Sequence, residues 1–314
     1  MLAVPVAECW PDAVRARELL LGAGAPSEEM DPLSDEALVA LWLCRELQLG
    51  AASPLAGHLA LLPRELDTVL QWTEEEAEWL RGSCFCEAAM GLREESENEW
   101  GLLSSAGGRW LAWAAACCPE GLDRGRFLWA KGAVLSRQLD LGEFFPDGAK
   151  TVVPGFDLLN HDPEWCPSCE VDVVGADDGG APCVVVRCTR AVAAGEELLS
   201  SYGPLPNASL LMTHGFVVPE NPFDCMEFVL SFPVPPARRP WLRAISDAAA
   251  AAAEDHGRMP AFEVVAGDLG DPDPAAELVT RHDLYRSDPL PPSLLALLRL
   301  RELPDEALAA PPSA

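Results

Sequence analysis

Asn160, His161 and Tyr202 carry side chains that can donate and accept hydrogen bonds, and each stands at the end of a segment. Asn160-His161 sets a neutral amide beside an imidazole, and the following Asp162-Pro163 turns the chain, so fixed donors and acceptors stand at a strand end. The same stretch also reads as a solvent-exposed turn. Tyr202 closes a segment of alternating character, and Gly203-Pro204 forces the chain to bend just past the phenol. A tyrosine at a strand end commonly packs in a core or at its rim, and Tyr285 is the other tyrosine of the chain. Arg137 ends a helical stretch, where its charge complements the helix dipole. Cys166-Pro167-Ser168-Cys169, followed by Cys183 and Cys188, superficially resembles a four-thiolate zinc site. Residues 182 to 187 read as a strand, however, which would hold Cys183 and Cys188 on opposite faces and ~16 Å apart at ~3.3 Å per residue. No metal is expected.

Taken together, three stretches resemble the C-terminal half of a SET-domain protein methyltransferase. They are Asp157-Leu158-Leu159-Asn160-His161, then Gly195-Glu196-Glu197-Leu198-Leu199-Ser200-Ser201-Tyr202-Gly203, then Asn207 with His214-Gly215-Phe216. The pattern is similar to the branch that includes the Rubisco large-subunit lysine methyltransferase and the actin-histidine methyltransferase. A helix ending in Ser136-Arg137 extends the resemblance upstream. The resemblance implies S-adenosyl-L-methionine as cofactor, contacted by Arg137, Asn160, His161 and Tyr202. It implies Tyr202 as the catalytic residue, with its hydroxyl orienting the attacking nitrogen. Ser136, Asp157 and His214 would line the target side chain. His214 stands where the plant lysine-methylating members carry a second tyrosine, so the target amino acid and the number of methyl groups transferred stay open. Asn207 belongs to the matching tract, but it is completely explained as an N-cap, with Gly215 as the C′ residue of two helical turns.

The elements that must position these residues are legible in part. Ala37, Leu38, Leu41 and Trp42 follow a helical period from Ser34, with Asp35 and Glu36 in the first turn and Gly50 at the end. Thr73 caps a further helix opened by three glutamates, with Trp79-Leu80 as its buried face. Residues 126 to 137 form a helix, and residues 138 to 150 a loop. The period then shortens: 151 to 153, 170 to 174 and 183 to 188 are β-type. Cys225 to Phe232 alternates, with Met226, Phe228, Leu230 and Phe232 on one face. Beyond Pro233-Val234-Pro235-Pro236, residues 241 to 256 and 292 to 300 are helical.

The expected architecture is α+β: a SET-type β-fold with a helical insertion, followed by a small all-helical C-terminal domain. The SET domain spans 1 to 232, with the insertion at about 30 to 125 and its C-terminal half at about 126 to 232. Residues 233 to 314 resemble the helical substrate-binding domain of the Rubisco methyltransferase branch. Members of that branch begin with strands carrying a glycine-containing segment against the cofactor, whereas Met1-Leu2-Ala3-Val4-Pro5 resembles the strand after it. An incomplete cofactor cleft is therefore one expectation. It sets the alternative to an active protein-lysine or protein-histidine N-methyltransferase: a non-catalytic SET-like module that binds a protein.

Composition narrows the partners. Fifty acidic residues face 22 basic ones, a net charge of −28, and Lys131 and Lys150 are the only lysines. Such a surface repels phosphate backbones, which argues against nucleic acid, and favours a basic protein substrate. No run approaches the ~20 apolar residues of a membrane span, and the start carries no basic n-region. Eleven cysteines do not read as a closed disulfide framework. The expectation is a soluble intracellular monomer, with cytoplasm, nucleus and plastid not distinguished.

Overall fold

The computed structural model describes residues 2–27, 30–83, 85–105, 108–117, 121–141, 150–162, 166–175, 182–256, 262–266, 277–285 and 291–303. The chain folds as two compact units. The first holds residues 1–81, 86–202 and 209–217, and the second holds 82–85, 203–208 and 218–314.

The first unit opens with strand β1 (Leu2–Pro5) and runs through helices α1 (Ala13–Gly22), α2 (Asp35–Leu49), α3 (Ala56–Leu59), α4 (Glu74–Glu78), α5 (Cys86–Ser105), α6 (Arg109–Cys117) and α7 (Arg124–Leu135). Short strands follow: β2 (Leu139–Asp140), β3 (Lys150–Thr151), β4 (Asn160–His161), β5 (Cys169–Val174), β6 (Cys183–Cys188) and β7 (Leu199–Ser200). Helix α8 (Asn207–His214) comes next.

Helix α2 starts where expected, because the Ser34 side chain accepts from the Ala37 amide at 3.2 Å. Every residue from Ala37 to Cys44 is buried, so α2 is the central rod of the helical part, packed on α1 and α7. Its core partners include Trp10, Leu103, Trp110 and Phe127. Inside this core, Lys131 of α7 meets Glu99 of α5 at 2.6 Å with both side chains almost wholly excluded from solvent. The other Glu99 oxygen accepts the Ser34 amide at 2.8 Å, so one carboxylate joins α5, α7 and the start of α2.

Strands β1, β6 and β5 form an antiparallel sheet in the order β1-β6-β5, with Val4 opposite Val184 and Val171 opposite Val186. Valine-rich strands suit such a half-buried pleated surface. Strands β2 and β3 pair antiparallel, and β4 pairs parallel with β7, placing His161 beside Ser200. Cys183 and Cys188 are the two ends of β6, and Cys169 lies opposite Cys188.

One expectation for the first unit is corrected. Trp79 is 80% exposed rather than buried, because α4 stops at Glu78 and Leu80 alone turns inward. Thr73 caps α4 as expected, and the structure adds a reciprocal capping box with Glu76. Residues 142–149, most of the expected loop at 138–150, lie outside the described residues.

A further correction concerns the second unit, which is not all-helical. Strand β8 (Cys225–Pro233), helix α9 (Arg239–His256), strands β9 (Phe262–Ala266) and β10 (Glu277–Tyr285) and helix α10 (Pro292–Glu302) build it. The three strands form an antiparallel sheet in the order β8-β10-β9, and α9 packs on α10 and on β9. The strand Cys225–Pro233, expected to close the first domain, thus takes β10 as its hydrogen-bonded neighbour. Strand β10 eludes periodicity because it is central and polar: Thr280 and His282 are fully buried and Asp283 nearly so. Val234, Leu242, Phe262, Leu297 and Leu300 form the core of this unit. Met226, at the start of β8, is 53% exposed, although the alternation placed it on the inner face. Among the described residues no helix is long and apolar enough to cross a membrane.

Candidate active site

The parallel pair β4–β7 brings two chain segments side by side, and the candidate residues hang from their ends. Successive side chains of a strand face opposite ways. His161 accordingly turns inward and is buried, while Asn160 turns outward and donates to the Glu197 carboxylate at 2.7 Å. Tyr202 follows β7 and folds back over β4. Its amide donates to His161 Nδ1 at 3.2 Å, and its phenol donates to the Leu159 carbonyl at 2.9 Å. An Nδ1 that accepts a main-chain N–H carries a lone pair, so a neutral His161 holds its proton on Nε2.

Helix α8 delivers the remaining rings. Gly215, with φ of +80°, ends it: its amide reaches the Leu210 and Leu211 carbonyls at 3.0 and 3.2 Å. A side chain at this position would overlap the Asp67 backbone, so glycine is required for shape as well as for torsion. His214 then stacks on Tyr202 with ring centroids 4.8 Å apart, and Phe216 meets Tyr202 edge-on at 6.1 Å. His161 lies 5.2 Å from Tyr202 and 6.0 Å from Phe216. Phe216 completes this aromatic group and was not among the residues singled out for the site. Its place in the tract His214-Gly215-Phe216 was the available signal.

The protonation states follow from burial. Loss of solvent pushes His214 down to about 4, reinforced by His161 and by the Arg137 charge. Burial also lowers His161, with Asp162 opposing. Burial raises Tyr202 above the usual phenol range, against the pull of Arg137. All three are therefore neutral near pH 7. The Thr213 hydroxyl spends its proton on the Ser209 carbonyl at 2.8 Å, so its 2.6 Å contact with His214 Nδ1 makes that nitrogen the donor. His214 Nε2 is left with a lone pair.

Arg137 sits just past α7. Its Nη1 donates to the Asp157 carbonyl at 2.9 Å and lies 3.3 Å from the Asp157 carboxylate. Its Nε is buried and has no hydrogen-bond partner among the described residues. A buried guanidinium N–H left unmatched fits an anionic ligand group such as a carboxylate. Ser136 caps α7, and its hydroxyl bonds to the Ala133 carbonyl at 3.4 Å, within its own helix. The structure thus joins Arg137 to Asp157, and His161 to Tyr202 and His214. Asn160 stands apart on the outer face of β4.

Asn207 does not cap α8 with its side chain. Instead its amide group donates to the Val218 carbonyl at 3.0 Å and accepts the Val218 N–H at 2.9 Å, which fixes the return of the chain after Phe216.

This fold is that of the SET domain. The crystal structure of the SET domain of LSMT bound to lysine and AdoHcy superimposes with a TM-score of 0.65 at 22% identity, covering 95% of this chain and 60% of that one. Rubisco LSMT bound to AdoMet gives 0.63 at 22% identity, with 96% and 60% covered. No protein-family model matches. By sequence, the chain is similar to a ribosomal lysine N-methyltransferase of Schizosaccharomyces pombe, 25% identical over 206 residues, which is 63% of this chain and 35% of that protein. It is similar also to the Rubisco large-subunit N-methyltransferase of Pisum sativum, at 27% identity over 67% of this chain and 41% of the relative. An actin-histidine N-methyltransferase of Drosophila melanogaster shares 27% identity over 56% and 34%. The chain spans about two fifths or less of the length of these three relatives.

Proposed function

We propose that this chain carries the site of an S-adenosyl-L-methionine-dependent protein N-methyltransferase acting on a side-chain nitrogen of a protein, lysine or histidine. The observation that carries the reading is the environment of Tyr202. Its phenol donates to the Leu159 carbonyl, so its oxygen keeps lone pairs for the N–H of an incoming nucleophile. The neutral His214 Nε2 offers a second acceptor on the ring stacked against it. When bound, the cofactor supplies a methyl group activated on a sulfonium.

The residues of the chain position rather than attack. Aromatic faces of Tyr202, His161 and Phe216 attract a cation such as a sulfonium. Arg137 Nε–H is available to a carboxylate. Holding the reactants at short range in a fixed orientation turns a bimolecular reaction into a local one. A lysine nucleophile must first shed a proton, which at a pH of about 7.4 costs ~4 kcal/mol from a reference pKa of about 10.4. A neutral aromatic lining beside a positive charge lowers that cost. A histidine nucleophile needs little such help. The named relatives methylate lysine or histidine, which supports a protein substrate, and the charge of −28 favours a basic one.

The test is calorimetric titration of the purified chain with S-adenosyl-L-methionine, followed by transfer of labelled methyl to a panel of basic proteins. Micromolar binding is expected, with Asn160→Ala and Arg137→Ala each weakening it. No heat at millimolar cofactor would overturn the proposal. An unaltered affinity in Asn160→Ala would remove that outward-facing residue from the cofactor site.

A further inference from the structure

Helix α3 is a single short turn within the helical part, yet its His58 reaches the candidate site. The His58 ring and the Asp157 carboxylate are 7% and 1% exposed, and His58 Nε2 lies 3.0 Å from both carboxylate oxygens. On the opposite side of the ring, Trp10 Nε1 donates to His58 Nδ1 at 3.2 Å. An indole N–H can only donate, so Nδ1 must present its lone pair. The single imidazole proton is then on Nε2, directed into the carboxylate. Asp157 Oδ1 also accepts the Gly155 amide at 3.1 Å, and Asp157 holds Arg137 through both its carbonyl and its carboxylate. Trp10 is itself fixed: its amide bonds Val152 O at 2.9 Å, and its carbonyl accepts the Thr151 hydroxyl at 2.6 Å.

We propose that His58 is a positioning residue of the site: through Asp157 it fixes Arg137, leaving the buried Arg137 Nε–H as the donor for the carboxylate of the bound cofactor. The ligand half of this proposal rests on the methyltransferase reading above. The chain Trp10–His58–Asp157–Arg137 would then make cofactor affinity depend on a helical segment that carries none of the reacting groups. Arg137 without this hold keeps its charge but loses one defined orientation, which weakens a directional contact more than a purely Coulombic one.

Two measurements on the same protein test it. Long-range ¹H–¹⁵N NMR of the free chain at pH 7, with His58 assigned by comparison with His58→Gln, reads the tautomer directly. The expected result is protonated Nε2 and bare Nδ1, and a protonated Nδ1 would overturn the arrangement. Calorimetry with S-adenosyl-L-methionine then compares His58→Gln with His58→Phe, each checked for native circular dichroism. Glutamine can accept from Trp10 and donate to Asp157, so its affinity should stay within about threefold of the original, whereas phenylalanine should lose about tenfold or more. A folded His58→Phe with unchanged affinity would overturn the positioning role. If the original chain binds no cofactor, the methyltransferase reading and the ligand half fall together. The tautomer still decides whether His58 holds Asp157.

Discussion

What the candidate site can do depends on which atoms of a few side chains remain uncommitted. Tyr202 gives its proton to Leu159 O and keeps its oxygen lone pairs, and Arg137 gives Nη1 to Asp157 and keeps Nε. Tyr202→Phe should therefore leave affinity for S-adenosyl-L-methionine nearly unchanged while slowing methyl transfer by ~10²-fold, the usual scale of a lost positioned proton-handling group. Single-turnover kinetics beside calorimetry checks this, and unchanged turnover would remove Tyr202 from its role. His214 makes a second prediction, about stability. Its folded value of about 4 lies below the ordinary 6.5, so the unfolded chain binds more protons between these limits. Stability is then complete above pH 6.5 and is lost as pH falls toward 4, by about 3 kcal/mol from this group. His282, also lowered to about 4, acts in the same direction, and Asp283, raised to about 6, acts against them. His214→Phe should flatten the fall in unfolding free energy between pH 6.5 and 4. An identical pH profile would mean that the ring is solvated.

The elements that hold these atoms are short and are locked by a few directed contacts. Helix α8 ends at Gly215, whose positive φ and contact with the Asp67 backbone leave no room for a side chain. Gly215→Ala should cost about 2–4 kcal/mol in denaturant unfolding, because torsional strain and overlap with backbone act together. A loss below 0.5 kcal/mol would show that the close approach to Asp67 relaxes freely. In the helical part, the buried Lys131–Glu99 pair joins α7 to α5 and to the start of α2. Lys131→Met should destabilise by ~3–5 kcal/mol, since it strands a buried carboxylate. Adding Glu99→Gln should recover part of that loss, because glutamine still accepts the Ser34 amide without a charge. A double variant no more stable than the single one would show that packing, not the uncompensated charge, sets the cost.

For the molecule as a whole, the excess of acid over base is the dominant property. With 50 acidic and 22 basic residues, encounter with a basic protein should be steered electrostatically and screened by salt. The apparent KM for such a substrate should rise several-fold between about 50 and 300 mM salt while kcat changes little, as expected for long-range attraction over a Debye length of ~10 Å. A salt-independent KM would assign the charge to solubility alone.

Much of the fold was legible in the linear pattern, for identifiable reasons. Caps and stops act within one turn, so Ser34, Thr73 and Gly215 could be read directly from their neighbours. Valine-rich strands such as β6 announce themselves by composition. The candidate site residues stood out as a pattern, Asn160-His161 and Tyr202 above all, but their division was not legible. Only the parallel pairing of β4 with β7 turns His161 inward and Asn160 outward. Strand β10 was missed because a central strand with Thr280, His282 and Asp283 buried has no apolar alternation to detect. His58 was missed for a different reason. It is one histidine in a short apolar stretch, and its partners Trp10 and Asp157 are separated from it by 48 and 99 residues. Local signals record what a residue does to its own backbone. The tautomer of His58, the free Nε–H of Arg137 and the neutrality of His214 depend on which distant groups exclude water and supply partners, and tertiary packing alone decides that.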